Sequence, residues 1–224
     1  DRAIEQLIGE LRALGLLEDA VIIFTADHGE SLGDHESYLA HGRLPYNSTA
    51  HVPLFVWESY RQGGRRIEAP VELVDLYPTL LDLVAPQTPV AGLEGKSWLP
   101  LLRASAERLS GAERAFRHAF NQAGGGSPLT HFRAVQDADW KLVFHPDLPT
   151  NQGTRPAWYE LYHLAEDPLE ARDVLGEHPA EAARLQAVLD EWMGGRLWIR
   201  PPKGFAAQQS LEVDKALKAL GYVD

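Results

Sequence analysis

Apolar residues recur at helical spacing from the first turn of the chain. Ile4, Leu7, Ile8, Leu11 and Leu14 form one stripe with charges between them. That spacing predicts an amphipathic helix over residues 2–15, stopped at Gly15. The period then changes. Val21-Ile22-Ile23-Phe24 is a continuous, β-branched run; it predicts a buried strand, and the helix leading into it predicts parallel pairing. A polar stretch containing glycine fills residues 27–50, and Pro53-Leu54-Phe55-Val56-Trp57 predicts a second buried strand. Asp75 stands before Leu76, Leu80, Leu81 and Leu83, so it is read as a helix cap with Pro78 within the first turns. A Pro/Gly-rich loop over 85–95 and a short helix over 97–102 follow. Helix, strand, loop and strand in that order predict an α/β protein.

The pattern changes near residue 105. A Gly/Ser/Pro loop at 123–128 precedes three short alternating segments, 131–135, 140–144 and 158–164. These predict a small antiparallel sheet with one wet face. Residues 179–192 have helical periodicity, 194–209 read as a Gly/Pro-rich linker, and 210–220 as a closing helix. The expected organisation is an α/β portion over 1–110, a small antiparallel sheet with a helix over 111–195, and a tail over 196–224. No internal repeat is present.

Composition narrows the chemistry. With 45% hydrophobic and 24% charged residues among 224, the chain reads as globular. A formal charge of -11 excludes a general nucleic-acid binder, yet allows an anionic substrate held by a local metal ion or a few cationic groups. The absence of cysteine excludes disulfides, cysteine metal sites and a cysteine nucleophile within these residues. No apolar run is long enough to span a bilayer. The chain starts at Asp1 without a methionine or signal-peptide pattern, so a natural start and any targeting signal are expected upstream.

The candidate chemistry lies in Thr25-Ala26-Asp27-His28-Gly29-Glu30. A strand ends there and presents Asp and His side by side at its carboxyl end, the edge where open α/β sheets bind ligands. A carboxylate and a neutral imidazole are both divalent-metal ligands, and Gly29 lets the backbone turn sharply past them. His41 follows thirteen residues later, where an imidazolium could bind an oxyanion or protonate a leaving group. His28, His35, His41 and His51 place four of nine histidines within 24 residues. His51 precedes the second strand and could face the same pocket.

These residues sit in a longer pattern. "IFTADHGESLGDH…HG…Y…HVPLFVW", then "VELVDLYPTLLDLV", "LEGKSWLPLL", "WKLVFH…YELYHLAEDPLEARDVL" and a terminal "LKALGYVD" occur in order. Together they resemble the sulfatase family of the alkaline phosphatase superfamily, over nearly the whole chain. The resemblance implies the C-terminal portion of a mostly parallel sulfatase sheet with flanking helices. It implies a metal-dependent sulfuric ester hydrolase with Asp27 and His28 as metal ligands and His41 as the catalytic, sulfate-contacting residue. His51 stands where the family often has a substrate-binding Arg. It implies calcium, although the nitrogen of His28 suits Mn or Zn better. The family's other ligands and its formylglycine nucleophile, from a Cys/Ser-x-Pro-x-Arg motif, follow an earlier strand; no such motif occurs here. The chain alone is therefore expected to be inactive, with the missing N-terminal half of the same protein as its partner and a small sulfate ester as substrate. A periplasmic or secreted location also follows from the resemblance. Two alternatives stay open: a phosphoryl-transfer relative, such as a phosphonate or phosphodiester hydrolase or a phosphoethanolamine transferase, and a non-catalytic remnant or partner-binding subunit.

Other polar residues read as structural. Asp75 and Thr79 belong to a helix start, and Lys96 lacks the glycine spacing of a phosphate loop. Trp140, Trp158 and Tyr159 read as sheet packing. Arg61, Arg65 and Arg66 read as a solvated turn, and Glu30, Asp34 and Glu36 as solubilising charges.

Overall fold

A computed structural model describes residues 1–36, 38–41, 44–61, 63–86, 92–113, 116–124 and 131–195. The expected closing helix at 210–220 and most of the loop at 123–128 lie outside the described residues.

The first half holds α1 (Arg2–Ala13), β1 (Val21–Thr25), β2 (Ser31–Leu32), β3 (Tyr38–Ala40), α2 (Asn47–Ala50), β4 (Leu54–Glu58), α3 (Leu76–Val84), α4 (Leu99–Arg103) and α5 (Ala106–Glu113); the predicted elements occur in order, and β2, β3, α2 and α5 are additional. The mix of helices and strands is α/β, but the pairing differs from the expected mostly parallel sheet. β1 and β4 run antiparallel, with Ile23 opposite Val56 and Phe24 opposite Phe55. A preceding helix does not fix a strand's partner, and here the loop between β1 and β4 returns the chain alongside itself. Nor are the two strands fully buried. Ile23 and Val56 face a core built on Trp98, Leu101 and Phe116. On the opposite face Phe55 is 66% and Trp57 44% exposed. Helix α1 likewise buries no residue, although its apolar stripe forms as predicted.

Polar groups hold the helices of this half together. Asp75 is buried, but not as a side-chain cap on α3. Its carboxylate accepts from the backbone N–H of Glu72 (3.0 Å) and of Lys96 (2.8 Å), closing a capping box on the 3-10 turn Leu73–Asp75 and fixing the turn before α4. Thr79 donates to the Asp75 carbonyl and accepts from the N–H of Trp98. Arg65 is exposed, as expected of a solvated turn, but it also bonds the next helix. Its guanidinium donates to the carbonyls of Leu101, Leu102 and Ala104, the acceptors that a helix C-terminus leaves without partners. Arg61 and Arg66 pair with Glu58 and Glu68.

The second half holds β5 (Ala119–Ala123), β6 (Phe132–Gln136), β7 (Trp140–His145), β8 (Leu148–Thr150), β9 (Gly153–Arg155), β10 (Trp158–His163) and α6 (Pro179–Gly195). Strands β10, β7, β6 and β5 form one antiparallel sheet in that order, and β8 and β9 a separate hairpin. The sequence predicts all but β5 of that sheet. The expected wet face is absent from its centre. Val135, Leu142 and Leu161 are buried on one side, and Ala134, Lys141, Val143 and Tyr162 on the other. The second side is covered by Tyr46, with Leu44 and Leu164 beside it. Trp158 stacks on His145, and Tyr159 meets Phe144, as sheet packing predicts. Arg184 of α6 pairs with Asp137 in the β6–β7 turn at 2.6 Å. Residues Asp1–Leu189 form one compact unit; of the second, which begins at Asp190, the described part is the last turns of α6. None of the described helices is long and apolar enough to cross a membrane.

Candidate functional site

The end of β1 presents Asp27 and His28 as predicted. The Asp27 carboxylate accepts from the N–H of His28 (3.0 Å) and is 77% exposed. His28 Nδ1 lies 2.8 Å from the Gly29 carbonyl oxygen. A carbonyl only accepts, so Nδ1 carries a proton, and in the neutral ring the lone pair lies on Nε2. That nitrogen lies 3.7 Å from Asp27 Oδ2, a gap that one cation bonded at about 2.1 Å to each could span. A backbone carbonyl holding the far ring nitrogen is the usual support of a metal-binding histidine. The pair therefore fits a divalent ion as two ligands of a larger set. Among the described residues, no cluster of three or more His, Asp or Glu side chains forms a complete set.

His41 joins this pair. Its ring stacks on His28, centroids 4.0 Å apart and planes within 15°. Its Nδ1 donates to Glu30 Oε2 at 3.1 Å. Glu30 is thus more than a solubilising charge: its carboxylate holds Nδ1 and fixes the ring's orientation. The sequence missed Glu30 because an acidic residue in a polar loop gives no signal of its partner.

Of the other two histidines, His35 parts from this group. His51 is exposed immediately after α2, and its backbone N–H bonds the Asn47 carbonyl. His35 leaves for the sheet. Its ring lies flat on Tyr46 (3.4 Å, 4°) and edge-on to Tyr162. Burial lowers the His35 pKa, against the raising effect of Glu170 and Glu160. The β2–β3 hairpin achieves this separation with left-handed backbone at His35 (φ 50°) and Leu39 (φ 44°).

Gly29 locks the Asp27–His28 turn onto α2. Its N–H donates to the Thr49 carbonyl at 2.9 Å. A Cβ at this position would stand 2.2 Å from the Ser48 carbonyl oxygen, so only glycine permits this approach.

Behind α2 lies a polar network. Tyr46 and Tyr162 donate to Glu160 Oε2 at 2.6 and 2.9 Å, and His145 Nε2 lies 2.9 Å from the same oxygen. Burial would raise the Glu160 carboxyl, but hydrogen bonds from His145, Tyr46 and Tyr162 outweigh it and hold the pKa down to about 2. Burial and Glu160 together raise both tyrosines. Beside them, Lys141 Nζ lies 2.7 Å from Glu170 Oε1, both side chains 1% exposed. Burial lowers the lysine pKa, and Glu170 opposes it. None of these partners is evident from the sequence. One signal existed: Lys141 falls between buried apolar neighbours on its strand, and a buried lysine requires a counter-charge.

An α/β scaffold that ends a strand in Asp-His, beside a carboxylate-held histidine, defines a candidate site for a cation and an anionic ligand. Over residues 1–85 the chain matches the sulfatase family model, and in this part it belongs to the sulfatase family. It is 30% identical to arylsulfatase K of Danio rerio over 190 residues, 84% of this chain and 34% of that protein. Two solved structures share the fold. One, described in complex with its substrate D-glucosamine-2-N,6-O-disulfate, has a TM-score of 0.67 at 21% identity over 85% of this chain and 37% of the other. The second, phosphonate monoester hydrolase of Agrobacterium radiobacter, has a TM-score of 0.62 at 23% identity over 86% of this chain and 38% of the other. The chain spans about a third of the length of the curated relatives it matches (34% of the fish protein).

Proposed function

We propose that this chain is the metal- and leaving-group side of a sulfuric ester hydrolase. The whole protein would cleave a small sulfate ester, and this chain would be inactive without the missing N-terminal half. The observation that carries the reading is the Asp27–His28 turn stacked against a Glu30-held His41, in a chain of the sulfatase family. Asp27 and the Nε2 of His28 would hold a divalent ion, calcium by family resemblance, manganese or zinc by the nitrogen donor. When bound, that ion would neutralise charge on the sulfuryl oxygens. His41 would contact the sulfate and deliver a proton to the departing oxygen through Nε2, with Glu30 keeping the ring in place. His51 would reach the substrate from the end of α2. The exposed outer face of β1 and β4 and the exposed apolar stripe of α1 support the missing half as partner.

The test uses this chain assembled with its nucleophile-bearing half. His28→Ala is expected to lose bound metal and aryl sulfate hydrolysis together; unchanged metal content would remove His28 as a ligand. His41→Ala is expected to keep the metal and lose turnover by about a hundredfold or more; wild-type kinetics would leave His41 a solvated loop residue. A phosphoryl-transfer enzyme is the second reading, favoured by the nitrogen donor at His28. Faster hydrolysis of an aryl phosphodiester than of an aryl sulfate would decide for it.

A further inference from the structure

Helix α2 has four residues, too few to hold a conformation of its own. Its place must be imposed by contacts, and the contacts at its two ends differ. At its start, the Asn47 N–H donates to Glu170 Oε2 at 2.6 Å, and the Asn47 side-chain oxygen accepts from Lys141 Nζ at 3.0 Å. Asn47 Nδ2 reaches the Pro168 carbonyl at 3.4 Å. At its end, the Thr49 carbonyl accepts from the Gly29 N–H, and the Ser48 carbonyl lies against the Gly29 Cα. Gly29 in turn supplies the carbonyl that orients His28, and His28 stacks on His41.

Lys141 and Glu170 are a fully buried ion pair, a costly feature unless its remaining bonding capacity is used. Here both members of the pair bond the same residue, Asn47. Glu170 is also held with a left-handed backbone (φ 57°), which disfavours any side chain longer than that of Asn or Asp. Two unfavourable features thus coincide on the carboxylate that fixes the start of α2.

We infer that Glu170, with Lys141, is a positioning residue of the Asp27–His28–His41 site, acting through Asn47 and α2. The inference rests on the proposed reading of that site. It places a determinant of site geometry in the small antiparallel sheet region, 123 residues along the chain from the group it holds.

The histidine ring signals of the chain itself test it. Their proton NMR resonances would be recorded for the wild type, Glu170→Gln and the control Leu185→Ala, each titrated with Mn2+ alone. Leu185 is fully buried in α6, so its truncation lowers stability without touching α2. Glu170→Gln is expected to shift the His28 and His41 resonances as the ring stack loosens, and to weaken Mn2+ broadening of His28 about ten- to hundredfold. Leu185→Ala is expected to melt earlier while keeping both signals and Mn2+ response. Unmoved signals in Glu170→Gln, or equal movement in both variants, would overturn the positioning role. Should Glu170→Gln not fold, Asn47→Ala is read by the same criterion, since it deletes the side-chain links to Lys141 and the Pro168 carbonyl that hold the start of α2. A wild-type chain whose His28 ignores Mn2+ would show that these two ligands do not hold the ion without the rest of the set, while the resonance shifts would still decide the positioning of the ring pair.

Discussion

At the scale of single residues, the site depends on a hydrogen atom. Gly29 meets the Ser48 carbonyl so closely that a methyl group would have to occupy the same space. Gly29→Ala is therefore expected to lower stability by about 1–3 kcal/mol and to separate the Asp27–His28 turn from α2. A denaturant melt gives the first quantity, and loss of the His28–His41 ring-stacking shift reports the second. That Asp27 and His28 stand side by side past a strand end was legible in the sequence, and His41 was legible as a histidine of the same loop. Glu30, Asn47, Lys141 and Glu170 were not. Each reads locally as a solvated polar residue, and its partner lies on another segment, 94 residues away for Lys141 and Asn47. His35 and His51 counted toward the same histidine density, yet the hairpin backbone takes His35 to Tyr46 instead. Residue density along a chain measures opportunity, and the backbone path decides which side chains meet.

Among the elements, periodicity located α1, α3, α4 and α6 and the strands β1, β4, β6, β7 and β10 within about three residues, whereas α2, α5, β5, β8 and β9 are too short or too polar to show a period. Strand direction was not legible. The run from Val21 to Phe24 is equally apolar for parallel or antiparallel pairing, and the ladder with β4 is antiparallel. The β2–β3 hairpin was missed because its strands, two and three residues long, are too short to show a period. In the four-stranded sheet, β10 carries a pH-sensitive element. Glu160 titrates at about 2 against an ordinary 4.5, because three donors bind its charged form. A carboxylate depressed in the folded state stabilises fully above its unfolded pKa, and that stability is lost as pH falls through the folded value. The contribution is on the order of 2–3 kcal/mol at neutral pH, eroding between about pH 5 and pH 2. Urea midpoints across that window are expected to fall steeply for the wild type and less for Glu160→Gln. Parallel curves would mean that other carboxylates carry the acid limb.

At the scale of the whole molecule, two surfaces contrast. The antiparallel sheet is buried on both sides at its centre, whereas β1 and β4 cover one face only. Exposed Phe55 and Trp57 on the second face would be core residues once a partner covers them. Phe55→Lys is expected to change the unfolding free energy of the chain by less than about 0.5 kcal/mol. The same change is expected to weaken capture by the N-terminal half of the fold by tenfold or more. Equal capture of both forms would show that this face is not where the partner sits. The left-handed backbone at Glu170 carries a separate consequence, for laboratory evolution. Glycine at position 170 relieves that backbone but strips the buried Lys141 of its counter-charge, so the single change is lost under selection for heat resistance. A library that varies positions 141 and 170 together can instead trade the buried pair for apolar packing. Such clones would survive heating with α2 untethered from the sheet behind it, so any stabilisation campaign on this chain needs a ligand-binding step in every round.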